Sequence, residues 1–213
     1  MITSAEPDVT LLFSTPLIVD EIAVQPALRA VIEERWKRSL SRRVAGEGWS
    51  ETSFETWGGE PATQLIQDAL ARVRSLTRTA SGEVAASVHW RVKATAHLAD
   101  PGEQLTFRME PSAFWSGLYT VANGYAGALD PSAGGEFAVL DPRSPVPLME
   151  TAELRLRTRL GAQPRSYAEE AVLRPASGKL LLLPAWVRVD MRRFQGSARR
   201  LIVSLSFTPY RLG

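Results

Sequence analysis

Residues 105–121, LTFRMEPSAFWSGLYTV, read as two short apolar strands with one disturbance between them. Arg108 and Glu110 stand two residues apart among Leu, Phe, Met, Trp and Tyr. Side chains alternate faces along a strand, so positions i and i+2 point the same way. An arginine and a glutamate on one face of a core-like stretch are costly to bury unless they pair or meet a ligand. Either they pair with each other or a ligand completes their bonding.

The texture around this stretch is β-rich. After Gly82, apolar runs punctuated by Gly, Pro and Asp cover 84–98, 104–109, 116–122, 136–140, 152–160, 168–174, 178–183, 187–193 and 200–208. Short strands with turn signals every ten or so residues predict a sandwich or barrel. AELRLRTRL (152–160) alternates cleanly, with Arg155, Arg157 and Arg159 on its polar face. GKLLLLPAW (178–186) lacks alternation and predicts a central strand buried on both sides. Before Gly82, an opening strand over 11–24 is interrupted by Pro16. Helices are predicted from Gln25 to about Arg38 and from about Pro61 to Leu76, with polar, glycine-containing sequence between them read as loop. The expected organisation is one domain over 1–213: a strand-plus-helix part over 1–82, then a β core over 83–213.

Composition excludes several chemistries. The chain has 213 residues, 45% of them hydrophobic and 23% charged, which suits a packed domain. It has no cysteine, so disulfides, thiolate nucleophiles and zinc–thiolate sites are out. Two histidines occur, His89 and His97. On one continuous strand they share a face yet stand about 26 Å apart at ~3.3 Å per residue, too far to share a metal. The net charge of +2 gives little reason to expect nucleic acid, and the arginine excess over three lysines is of the kind a GC-rich genome produces. No apolar run is long enough to span a bilayer and no secretory leader is evident, so a cytoplasmic location is expected.

Order and spacing along most of the chain resemble the 2-oxoglutarate/iron(II)-dependent oxygenases, in particular small bacterial members with prolyl-hydroxylase-like cores. The matching segments are PGEQLTFRMEPSAFWSGLYTV (101–121), GGEFAVLDPR (134–143), RPASGKLLLLPAWVRV (174–189) and RRLIVSLSF (199–207), with GWS (48–50) and FSTPLIV (13–19) as further counterparts. The resemblance implies an α+β, mainly β fold: a double-stranded β-helix (jelly-roll, cupin-like) core with N-terminal helices packed on it. It places the three metal-ligand positions at Arg108, Glu110 and Val189. Arginine and valine offer a metal no lone pair, and a lone carboxylate does not hold iron(II) against water. The expectation is therefore a degenerate metal site and no cofactor.

By the same resemblance, Tyr119 and Arg200 (or Arg199) fall where the family binds its cosubstrate. Trp115 and Trp186 flank the former metal site in sequence. Together with Arg108, Glu110, Arg155 and Arg157 these form the expected ligand-binding set. The expected function is a metal-free pseudo-oxygenase that binds a peptide, as an accessory protein to modifying enzymes in ribosomal peptide natural-product biosynthesis of the crocagin type. The alternative is a metal-independent cyclase, isomerase or dehydratase using Glu110 and Arg108. Nucleic acid and membrane are not expected partners, and a homodimer is an arrangement the reading leaves open.

Overall fold

A computed structural model of the chain describes residues 15–39, 46–83, 88–107, 110–125, 133–140, 142 and 170–210. Among these, nine strands and three helices follow in the order β1 (Ile18–Glu21), α1 (Gln25–Arg38), β2 (Trp49–Thr52), α2 (Phe54–Trp57), α3 (Gly59–Leu76), β3 (His89–Ala99), β4 (Trp115–Ala122), β5 (Phe137–Leu140), β6 (Glu170–Leu173), β7 (Lys179–Pro184), β8 (Val189–Met191) and β9 (Arg200–Tyr210). Six strands form one antiparallel sheet in the order β1-β7-β4-β9-β3-β2, and three form a second, β6-β5-β8.

The helices form where periodicity places them. In α1, Leu28, Ile32 and Trp36 recur every fourth residue and are buried, and Pro26 sits in the first turn, where its missing N–H costs nothing. In α3, Ala62, Leu65, Ala69 and Val73 make the buried stripe. Both helices cover the outer face of the large sheet. That face carries Trp90, Ala94, Ala96 and Leu98 of β3, Leu201, Val203, Leu205 and Phe207 of β9, Trp115 and Tyr119 of β4, and Leu180 and Leu182 of β7.

The alternate residues of the same strands face inward. Leu118, Leu181, Leu183 and Ile202 pack there against Phe137, Val139 and Met191 of the second sheet, closing one end of the space between the sheets. The two facing antiparallel sheets are the expected jelly-roll core. β7 contributes to both clusters, so its continuous apolar run is explained: it lies between β1 and β4 and is buried on both faces.

Two elements lie in the stretch expected to be loop, β2 and the single turn α2. The run WSET (49–52) is short and polar because it is an edge strand with one face open, a pattern that resembles a loop in sequence. The strand expected over 104–109 is reduced, among the described residues, to a bridge between Gln104 and Glu47. The strand expected over 152–160 lies outside the described residues.

Leu182 is fully buried between the helices and the sheet. Leu182→Ala should cost about 2–5 kcal/mol, whereas Val172→Ala, on an exposed position of β6, should stay within about 0.5 kcal/mol. Urea unfolding of the two variants checks the assignment of the core.

Candidate functional site

The inward face of the large sheet changes character along its length. Away from the apolar plug, register aligns Leu183, Ser116, Ser206 and Lys93 in one row across β7, β4, β9 and β3. The next row aligns Leu118, Ser204, Thr95 and Thr52, and the one beyond aligns Ile202, His97 and Ser50. These hydroxyl-bearing rows floor a cavity of about 1220 Å³, bordered also by Glu55, Glu110, Val187 and Val189.

His97 is the polar centre of this floor. It is 3% exposed, and its two ring nitrogens lie 2.7 Å from Ser50 Oγ (Nδ1) and 2.8 Å from Ser204 Oγ (Nε2). A neutral imidazole donates from one nitrogen and accepts at the other, so two hydroxyls satisfy it in either tautomer. Burial pushes its pKa down to about 4, which keeps it neutral. Phe107 packs edge-on against the ring at 5.2 Å.

Glu110, whose expected partner Arg108 lies outside the described residues, reaches the cavity wall. Its Oε1 accepts from Lys93 Nζ at 2.9 Å, and both side chains are part-exposed. Arg108, Arg155, Arg157 and Arg159 lie outside the described residues. Val189 lines the cavity.

Strand parity moves the other candidates elsewhere. Trp115 and Tyr119 are separated by four residues on β4, so both face the helices while Ser116 and Leu118 face the cavity. The Trp115 indole donates to Thr77 Oγ1 at 3.0 Å, and the Tyr119 hydroxyl donates to the Ile22 carbonyl, with burial pushing its pKa up to about 12. Trp186 is 60% exposed on the turn after β7 and does not border the cavity.

Arg200 faces inward, whereas Arg199 turns outward to Asp100 at 2.8 Å and stacks on Trp36. Arg200 is nonetheless sealed: it is 0% exposed and lies outside the cavity lining. Its Nε donates to the Asn123 carbonyl and its Nη1 to that of Gly135, while Phe194 and Tyr125 cover its faces. Phe194 closes this corner because Gly124, Gly135 and Gly196 leave its ring room that a Cβ would take.

No family model matches the chain, and no curated protein does. Solved structures do. A prolyl-4-hydroxylase from Pseudomonas putida is 14% identical, with a TM-score of 0.53 over 94% of this chain and 95% of that one. A prolyl hydroxylase from Trichoplax adhaerens, in complex with a hypoxia-inducible-factor peptide fragment, is 8% identical, with a TM-score of 0.56 over 90% and 83%. HygX from Streptomyces hygroscopicus, with nickel and 2-oxoglutarate bound, is 16% identical, with a TM-score of 0.54 over 92% and 83%. The fold is that of the 2-oxoglutarate/iron(II)-dependent oxygenases.

The described side chains that border the oxygenase-fold cavity do not fit iron(II). Val189 has no donor atom, the Glu110 carboxylate is tied to Lys93, and both His97 nitrogens are engaged by hydroxyls. Among the described residues, no group of three or more His, Cys, Asp or Glu converges as a metal site would require.

The sequence reading missed the residues that make the floor. The signal was present in RRLIVSLSF, where Leu201, Val203, Leu205 and Phe207 alternate with Ile202, Ser204 and Ser206.

The neutral His97 makes stability depend on pH. Its folded pKa of about 4 lies below the ordinary 6.5, so the unfolded chain takes up a proton that the folded chain refuses. Stability is therefore full above about pH 6.5 and falls towards pH 4, by roughly 3 kcal/mol in all, levelling below that. Urea midpoints of wild type and His97→Asn across this range should converge as pH falls, because the variant lacks that slope.

Proposed function

We propose that the protein is a metal-independent binding protein that holds a peptide in the cavity of an oxygenase fold. The observation that carries this reading is the cavity itself, floored by hydroxyl-bearing side chains and bordered by Val189, where the sequence resemblance expects a metal ligand. At about 1220 Å³ it exceeds the roughly 300–1,000 Å³ of ordinary small-molecule pockets, so it has room for several residues of an extended chain. Hydroxyls at Ser50, Thr52, Thr95, Ser116, Ser204 and Ser206 both donate and accept, and so match the mixed donors and acceptors of a peptide main chain. The Trichoplax relative of this fold is itself in complex with a peptide, which supports the ligand class.

The setting follows from the sequence resemblance: an accessory protein that presents a precursor peptide to modifying enzymes in ribosomal peptide biosynthesis. The enzymatic alternative has less support. A general base gains strength by desolvation, and Glu110 is part-exposed and paired with Lys93 instead.

Calorimetry with short peptides encoded beside the gene tests the reading. Wild type should bind one of them. Ser206→Phe, which places a ring in the middle of the floor, should weaken binding by at least about tenfold, or about 1.4 kcal/mol. Its thermal midpoint should stay near that of wild type, because Ser206 faces open space. Equal affinity in the two proteins would move the peptide away from the cavity.

A further inference from the structure

Among the described residues the large sheet ends at β2, whose four residues pair with β3 alone. The whole run from Gly46 to Ser53 borders the cavity. Of the other sheet edges, β1 and β6 contribute nothing to the cavity wall and β8 contributes Val189. An edge strand directs the N–H and C=O groups of every second residue away from its neighbour. Those groups match one kind of partner, another extended backbone.

The edge is also held in place from behind. Trp49 and Glu51 project towards the helices, Trp49 edge-on to Trp57 at 6.3 Å and Glu51 ion-paired with Arg35. The Trp57 indole donates to the Thr52 carbonyl at 2.9 Å. At the other end, Gly48 N–H donates to Gln104 at 2.9 Å, and a Cβ on Gly48 would meet Leu105 at 2.5 Å, so the chain enters the edge by a close approach that glycine permits. On the cavity side, Ser50 and Thr52 are exposed. Proline and lysine, which commonly blunt edges, do not occur in WSET, and its one charged side chain is folded back onto Arg35.

We propose that the bound peptide adds to the outer edge of β2 as a further strand, its main chain paired along Trp49–Thr52 and every second side chain directed into the cavity over Ser50 and His97. This rests on the peptide-binding reading above and specifies its geometry. Main-chain pairing supplies affinity that tolerates many sequences, and the hydroxyl floor selects among the side chains that enter. Because the strand is already formed and anchored, little ordering is needed on the protein side.

The probe is a short peptide selected from a random phage-displayed library on the immobilised full chain, and kept if Ser206→Phe weakens it. Hydrogen exchange of the full chain with and without that peptide should slow at Trp49–Thr52 by about tenfold or more. N-methylation of alternate peptide residues should raise Kd by about tenfold, while methylation of the intervening ones leaves it unchanged. A cavity-bound peptide that leaves exchange over 49–52 unaltered, or tolerates methylation everywhere, overturns the strand-addition geometry while leaving the peptide reading standing. A library that yields no binder sensitive to Ser206→Phe overturns both.

Discussion

All 11 residues of β3 pair with β9, and side chains on paired strands alternate in step. A slip of one residue would exchange Leu201, Val203, Leu205 and Phe207 for Ile202, Ser204 and Ser206 on the helix-covered face. Burying the serines under α1 and α3 would leave their hydroxyls without water or partner, and the displaced leucines would face the cavity. The register is therefore fixed by the sorting of apolar from polar groups. It also places Lys93, Thr95 and His97 beside Ser206, Ser204 and Ile202. The cavity floor is a by-product of the same pairing that builds the core.

Polar groups inside such a fold are costly to bury without partners, and the structure treats them differently at its two ends. Under the cavity, His97 is neutral and bridges hydroxyls on β2 and β9. At the far end Arg200 keeps a charge in a sealed site, its Nε and Nη1 held by carbonyls of Asn123 and Gly135 and its faces covered by Phe194 and Tyr125, while its buried Nη2 has no hydrogen-bond partner among the described residues. The first arrangement leaves hydroxyls accessible to a ligand. The second uses the arginine to tie the end of β4 to the segment entering β5, with an aromatic ring filling the space beside it.

The fold was legible because its signals repeat. The leucine-rich strand β7, the alternation in β9, the helical stripes of α1 and α3 and the order of motifs all point the same way. The site was legible only in part. Val189 and Glu110, singled out as ligand positions by the resemblance, both border the cavity. Trp115 and Tyr119 were assigned to the ligand although parity along β4 sends both to the helices, because proximity in sequence to a metal position says nothing about face. Arg200 was picked out on the correct face, but the glycines that let Phe194 enclose it give no sign in sequence of what they pack against. The serines and Lys93 were passed over because each is unremarkable alone and becomes a floor only across four paired strands.

The central proposal is that the cavity of the oxygenase fold persists while Arg108, Glu110 and Val189, at the positions the resemblance gives to metal ligands, do not hold a metal. Cobalt(II) titration followed by visible absorption tests it directly on the wild-type chain and on a variant carrying Arg108→His, Glu110→Asp and Val189→His. The account predicts no ligand-field band for wild type at concentrations where the triple variant, once shown to be folded, binds one equivalent. Stoichiometric cobalt on the wild-type chain, or a folded triple variant that binds none, would contradict it.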